Sequence, residues 1–382
     1  MYIYIYIYQI LGFGWRKKLI LPLFVDAGFW RVEMGGSYEK IKKNGDVGGD
    51  ACCDPSEETD PVNRTKGKKL WKKVKYELIG YHSLPAYLKD NEYILNHYRA
   101  EWPLAHILRS VFLLHNETGN VWTHLIGFFL FLGLSIYTAQ NIPIVDDLHP
   151  LQRLANRLPN PFSIWGSNGA EAGLLGEDGG TGPITRWPFF AFLGGAMFCL
   201  LASSACHLLS CHSRHLSYVM LRLDYAGIAA LITASFYPPV YYSFMCNPFF
   251  CRLYLATITA LGLATILFSL LPVFQKPEFR PVRASLFFGM GLSGAAPVAH
   301  KLILFRHRPE ALVTTGYELL MGALYGVGAL IYATRVPERW RPGKFDLAGH
   351  SHQLFHVLVV AGAFAHYRAG LVYLEWRDAE GC

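Results

Sequence analysis

Charged residues are scarce in this sequence: Asp, Glu, Lys and Arg make up 16% of its 382 residues, against 52% hydrophobic. Soluble domains of that length carry about 25% charged residues, so an ordinary water-facing fold is excluded. Paired cysteine motifs are lacking as well. The eight cysteines include no CxxC and no regular spacing, so no disulfide framework is implied. Cys246 and Cys251 stand near enough in sequence to meet outside the apolar runs, with free thiols the alternative. The opening MYIYIYIYQI alternates like a strand, yet it has neither the basic flank nor the small-residue cleavage site of a secretory signal.

What is present is unevenly distributed. Mean hydropathy is only +0.22, because a polar segment precedes a long apolar one. Residues 1–83 form a variable, basic region, 84–120 an amphipathic stretch, and 121–382 a series of apolar runs with short polar connections. Seven of the basic residues behind the net charge of +7 fall in RTKGKKLWKKVK at 64–75. No nucleic-acid-binding fold accompanies this run, so nucleic acid is not an expected partner. Ahead of apolar spans it marks the cytoplasmic side and suits contact with anionic lipid headgroups, beside the plainer reading of a solvated segment.

A membrane-spanning helix needs about 20 mostly apolar residues. Seven windows qualify: 121–139, 187–209, 223–244, 253–274, 284–304, 312–334 and 353–374. The expected fold is therefore an all-α, integral membrane bundle of seven transmembrane helices. Basic residues set its orientation. With the N-terminus inside, the inner connections hold Arg214 and Arg222, then Lys276, Arg280 and Arg283, then Arg335, Arg339, Arg341 and Lys344. Arg306 and Arg308 oppose the trend, but the run at 64–75 decides it. The C-terminus is then outside, the reverse of a G-protein-coupled receptor. The connection at 140–186, with its Gly-rich acidic tract EAGLLGEDGGTG, predicts a long exposed loop. The mixed pattern at 84–115 predicts a short amphipathic helix lying at the interface before the first span.

Ionisable groups inside a membrane are costly, and each requires a reason. His207 ends the second window, in SSACHLL, with Ser203 one turn earlier. Asp224 opens the third, in RLDYAG. His352 and His356, in SHQLFH, open the seventh and share one helical face by their spacing. Alternating topology carries these three helix ends to the same membrane side. Three imidazoles and a carboxylate at one depth suit zinc, whose tetrahedral sites with three protein ligands keep a fourth position for water. Asp224 would then hold or deprotonate that water. Ser203 is either part of the site or ordinary packing between helices. His124 and His300 read as packing residues, and His212 and His215 as solvated.

The motifs SSACHLLSCHS, LDYAGIAALITASFYPP, RVPERWRPGKFD and GHSHQLFHVLVVAGAFAHY resemble the progestin and adipoQ receptor family, which includes the adiponectin receptors. LKDNEYIL and HNETGNVWTHLIGF match that family's approach to helix one. Within it, KYELIGYHSLPAYLKDNEYILNHYRAEW and the ending LEWRDAEGC are similar to the plant heptahelical transmembrane proteins. The likeness runs from about residue 75 to the end, apart from the long first loop. It implies a seven-helix, receptor-like protein with an inner-face zinc site whose ligands are His207, His352 and His356, with Asp224 and Ser203 facing the metal. It also implies roles in hormone, sugar or stress responses at the plasma membrane or an internal one. The partners it suggests are membrane lipids, an unidentified ligand and a cytoplasmic signalling protein at the N-terminal region.

Two functions follow from the same site. One is a receptor that relays a stimulus to the N-terminal region. The other is an intramembrane zinc hydrolase acting on a lipid amide such as ceramide, and the two are compatible. A di-iron desaturase also uses HxxxH pairs but needs a larger set of histidine boxes than this chain offers.

Overall fold

The computed structural model describes residues 76–141, 184–275 and 277–382 of the protein. The basic run at 64–75, the Gly-rich tract at 171–182 and Lys276 lie outside the described residues. Seven helices among those described are long and apolar enough to cross a membrane. The bundle is helical because lipid offers backbone amides no partners, so each span must satisfy its own.

A short helix, α1 (Leu104–Arg109), precedes the spans. The first four spans are α2 (Thr118–Asn141), α3 (Trp187–Leu209), α4 (Arg214–Phe244) and α5 (Pro248–Leu270). The fifth is broken into α6 (Arg280–Ser293) and α7 (Ala295–Phe305). The last two are α8 (Pro309–Thr334) and α9 (Ser351–Glu380). At 1.5 Å per residue the 24 residues of α2 rise about 36 Å, enough for the hydrocarbon core.

Several boundaries differ from those hydropathy suggests. The third span begins at Arg214 rather than 223, because Ser213 caps it by accepting a hydrogen bond from the Leu216 amide. The polar turns RHLSYVMLR are helical all the same. Hydropathy reports depth in lipid, whereas helicity needs only a paired backbone. The inner connection read at 210–222 therefore shrinks to a tight turn. The fourth span stops at Leu270 rather than 274, since Pro272 cannot continue a helix.

The spans are unequally central. Within the apolar window of α9, 67% of residues are buried, against 11% for α8 and 17% for the broken fifth span. The main core joins α2, α3, α4 and α9 through Phe131, Phe189, Phe192, Leu231, Val360 and Tyr373. Close approach of α3 and α4 depends on small residues. A Cβ on Gly195 would lie 2.7 Å from that of Ala234, so only glycine permits the packing.

One end of the bundle is tied by charge and by sulfur. Arg186 pairs with Asp378 in a two-pronged contact at 2.7 and 2.8 Å, and Arg308 meets Glu380 at 2.7 Å. Arg377 donates to the Tyr242 carbonyl at the C-terminal end of α4. Cys246 forms a disulfide with Cys382, not with Cys251, which is a buried free thiol. The 136-residue separation hides this pairing from spacing arguments.

The other end is closed by residues 76–117. The short helix expected within 84–115 runs over Leu104–Arg109, with Pro103 at its N-cap. The rest is turns and short 3-10 helices, pinned by an isolated bridge between Ile79 and Tyr98. They dock on the connection before α9. The Leu95 amide and Asn96 side chain donate to Asp346, the Asn91 side chain donates to Glu338, and Arg335 pairs with Glu92. Leu104, Leu108, Phe112, Leu113 and Leu114 remain exposed.

Candidate metal centre

The centre lies at the closed end, where the C-terminal turn of α3 meets the N-terminal turns of α4 and α9. His352 and His356 share a face of α9 because they are one turn apart. His207 sits in the last turn of α3. The nitrogens these three rings present lie within 4.8 Å of one another. Ring centroids are 4.8 Å apart for His207–His352, 4.9 Å for His207–His356 and 4.7 Å for His352–His356. The interplanar angles of 89°, 68° and 79° make each pair edge-to-face rather than stacked. One nitrogen from each ring is thus close enough to the other two for all three to share one cation.

The donor chemistry fits zinc. The His356 Nδ1 lies 3.2 Å from the Asn120 carbonyl oxygen, an acceptor only, so that nitrogen carries the proton and Nε2 carries the lone pair. Thr123 Oγ1 lies 3.2 Å from the same nitrogen. The His207 Nε2 is buried without a hydrogen-bond partner, an expense explained by a ligand there.

Asp224 stands outside the three-histidine cluster but within electrostatic reach of His207, and Ser203 lies beside it. Two histidines expected to be bland behave differently. His124 stacks on His356, with centroids 3.6 Å apart and planes 11° from parallel, so it backs a member of the centre. His300 is a packing residue, bonded to the Tyr254 hydroxyl at 3.1 Å. His215 is exposed, whereas His212 is bound to the Trp102 carbonyl at 2.9 Å rather than simply solvated.

Residues before and at the start of α2 surround the helix ends that carry His207, His352 and His356. Glu117 Oε2 lies 2.8 Å from His207 Nδ1. Arg99, buried, donates to the His207 carbonyl at 3.0 Å and to Ser110 Oγ at 2.6 Å. Glu338, fully buried, accepts from the Ser351 amide at 2.8 Å and so caps α9 one residue before His352. Burial, reinforced by Arg99, pushes His115 down to about 4. Neutral His115 can therefore accept from the Glu117 amide through Nδ1 at 3.1 Å while Nε2–H faces the Ser110 carbonyl. Nothing local marks Glu117 as a site residue, because His207 lies 90 positions away. The only sequence signal is a carboxylate at the mouth of an apolar span.

Comparison with known proteins agrees with this architecture. The profile described as "Haemolysin-III related" matches residues 112–367. Heptahelical transmembrane protein 4 of Arabidopsis thaliana is 64% identical over 369 residues, covering 86% of this chain and 96% of that protein. Heptahelical transmembrane protein 5 of the same plant is 62% identical, covering 83% and 96%. The adiponectin receptor protein of Drosophila melanogaster is 38% identical, covering 78% of this chain and 60% of the fly protein. With seven spans, a three-histidine centre and these relatives, the chain belongs to the haemolysin-III related family, as a multi-pass membrane protein of adiponectin-receptor type similar to the plant heptahelical transmembrane proteins.

Proposed function

We propose that this protein is a membrane receptor or signalling protein whose helix bundle houses one zinc ion, held by His207, His352 and His356. The observation that carries this reading is the clustering of three imidazole nitrogens from two helices, with the His207 Nε2 buried and unpartnered. A hormone, sugar or stress signal is the proposed stimulus, relayed to a cytoplasmic partner at the N-terminal region. The plasma membrane is the favoured site. The exposed apolar residues around α1 suit contact with lipid at the interface.

Orientation belongs to the same proposal: N-terminus inside, C-terminus outside. The basic connections support it, and so does the disulfide between Cys246 and Cys382, since disulfides persist on oxidising sides of membranes. Sealed vesicles carrying an N-terminal tag test this. Protease added outside should leave the tag intact until detergent is present, and its removal beforehand would reverse the topology.

A second reading, hydrolysis of a lipid amide such as ceramide, is favoured by Asp224 and Ser203 standing beside the histidines but outside their cluster. Zinc, when bound, supplies a Lewis acid that polarises a carbonyl and lowers the pKa of water. Asp224 would accept the proton from attacking water, and Ser203 would orient the substrate carbonyl by donating a hydrogen bond. Metal analysis of the purified protein should find zinc, and finding iron or no metal ends the reading. Zinc-loaded protein incubated with a short-chain ceramide should release fatty acid, with Asp224→Asn lowering the rate roughly 10²-fold or more. No release under any condition leaves a centre without hydrolase chemistry.

A further inference from the structure

We propose that Glu117, from the approach to α2, is the positioning residue of the centre: its carboxylate holds His207 so that Nε2 faces the metal. The inference rests on the zinc reading above and adds a residue from a span that supplies no ligand. Glu117 Oε2 is 2.8 Å from His207 Nδ1, a hydrogen-bonding distance, and Glu117 is not part of the metal-ready cluster. An ionised carboxylate can only accept, so it requires the proton on Nδ1 and leaves the lone pair on Nε2. That is the nitrogen found buried without a partner. A carboxylate behind a ligating imidazole fixes the tautomer, limits ring rotation and raises ligand basicity.

Glu117 is itself held from several sides. Asn120 Nδ2 donates to Oε2 at 2.6 Å, and the Glu117 amide is bound by His115. The backbone of His207 is held separately, by Arg99 on its carbonyl. Ring orientation and helix position are thus controlled by different residues. Asn120 has a double part, because its carbonyl also meets His356 Nδ1. One turn at the start of α2 therefore orients two of the three imidazoles, although α2 contributes no ligand. Gly119 makes room for this packing: a Cβ there would fall 2.3 Å from Gln353 Nε2 on α9.

The test compares full-length wild type, Glu117→Gln, Glu117→Ala and Asn120→Ala in detergent. Zinc affinity is read by competition with a chromophoric chelator, and ligand geometry by the visible spectrum of cobalt-substituted protein. Melting of the metal-free proteins reports fold separately. Glu117→Ala should weaken zinc by roughly 10- to 100-fold and alter the cobalt bands. Glu117→Gln, which keeps an acceptor oxygen but no charge, should lose less. Asn120→Ala should also lose affinity through a looser carboxylate. Should Glu117→Ala fail to fold, Glu117→Gln and Asn120→Ala carry the same comparison. Wild-type affinity and spectra in folded Glu117 variants would overturn the inference while leaving the metal centre standing. Wild type that binds no zinc, by contrast, removes the centre and the inference together.

Discussion

Replacing His356 with alanine is expected to take zinc from about one ion per chain to near none after mild chelation, in protein that still purifies folded. The loss should exceed the roughly 10- to 100-fold penalty of removing an outer partner, because a ligand itself is deleted from a set of three. Zinc should correspondingly stop raising the melting temperature. Saturating metal stabilises a folded protein by about 2.7 kcal/mol at 100 times its dissociation constant, and a variant without the site gains nothing. His124→Phe separates loss of the ligand from loss of packing. It keeps a flat ring against His356, whose lone pair is set by Asn120, and should retain zinc. Metal content by mass spectrometry and melting with and without zinc check both variants. Full zinc content in His356→Ala would mean that the three rings do not form the centre.

Replacing Glu318 with alanine is expected to destabilise the bundle by about 3–5 kcal/mol, the usual cost of leaving a buried charge without its partner. Glu318 pairs with Lys301 at 2.7 Å, with only 2% and 6% of the two side chains exposed. The pair is embedded further: Lys301 reaches Thr314 at 3.2 Å and the Tyr373 hydroxyl at 2.7 Å, and Tyr373 donates to Glu318 at 2.7 Å. This network ties α7 to α8 and α9. Removing both charges together, as Lys301→Met with Glu318→Leu, should recover much of the loss, since apolar replacements of a buried pair are often neutral. Thermal unfolding in detergent across the double-mutant cycle measures the coupling. A Glu318→Ala variant within about 0.5 kcal/mol of wild type would show that the pair does not hold these helices together.

These two sites differ in how far the sequence exposed them. His352 and His356 are one turn apart, so their shared face follows from helical period alone. His207 joins them once span alternation puts the end of α3 beside the start of α9. Lys301 and Glu318 lie on consecutive spans, and no local pattern pairs them. The broken fifth span must first bring Lys301 back beside α8. The same limit hid Glu117 behind His207 and Cys382 beside Cys246, pairs 90 and 136 positions apart. Each arises where unrelated helix ends meet, and each is visible only when those ends are placed.

Sequence alone determined the number of spans and the helical class and pointed to the three histidines, because lipid forces each apolar run into a self-satisfied helix and helical period dictates which residues share a face. Tertiary structure alone decided which groups surround those histidines, how the capping segment at 76–117 holds the ends of α3 and α9, and where buried charges find partners. The reason is range. Hydropathy and periodicity act over a few turns, whereas a 2.8 Å contact between Glu117 and His207 depends on how whole helices pack.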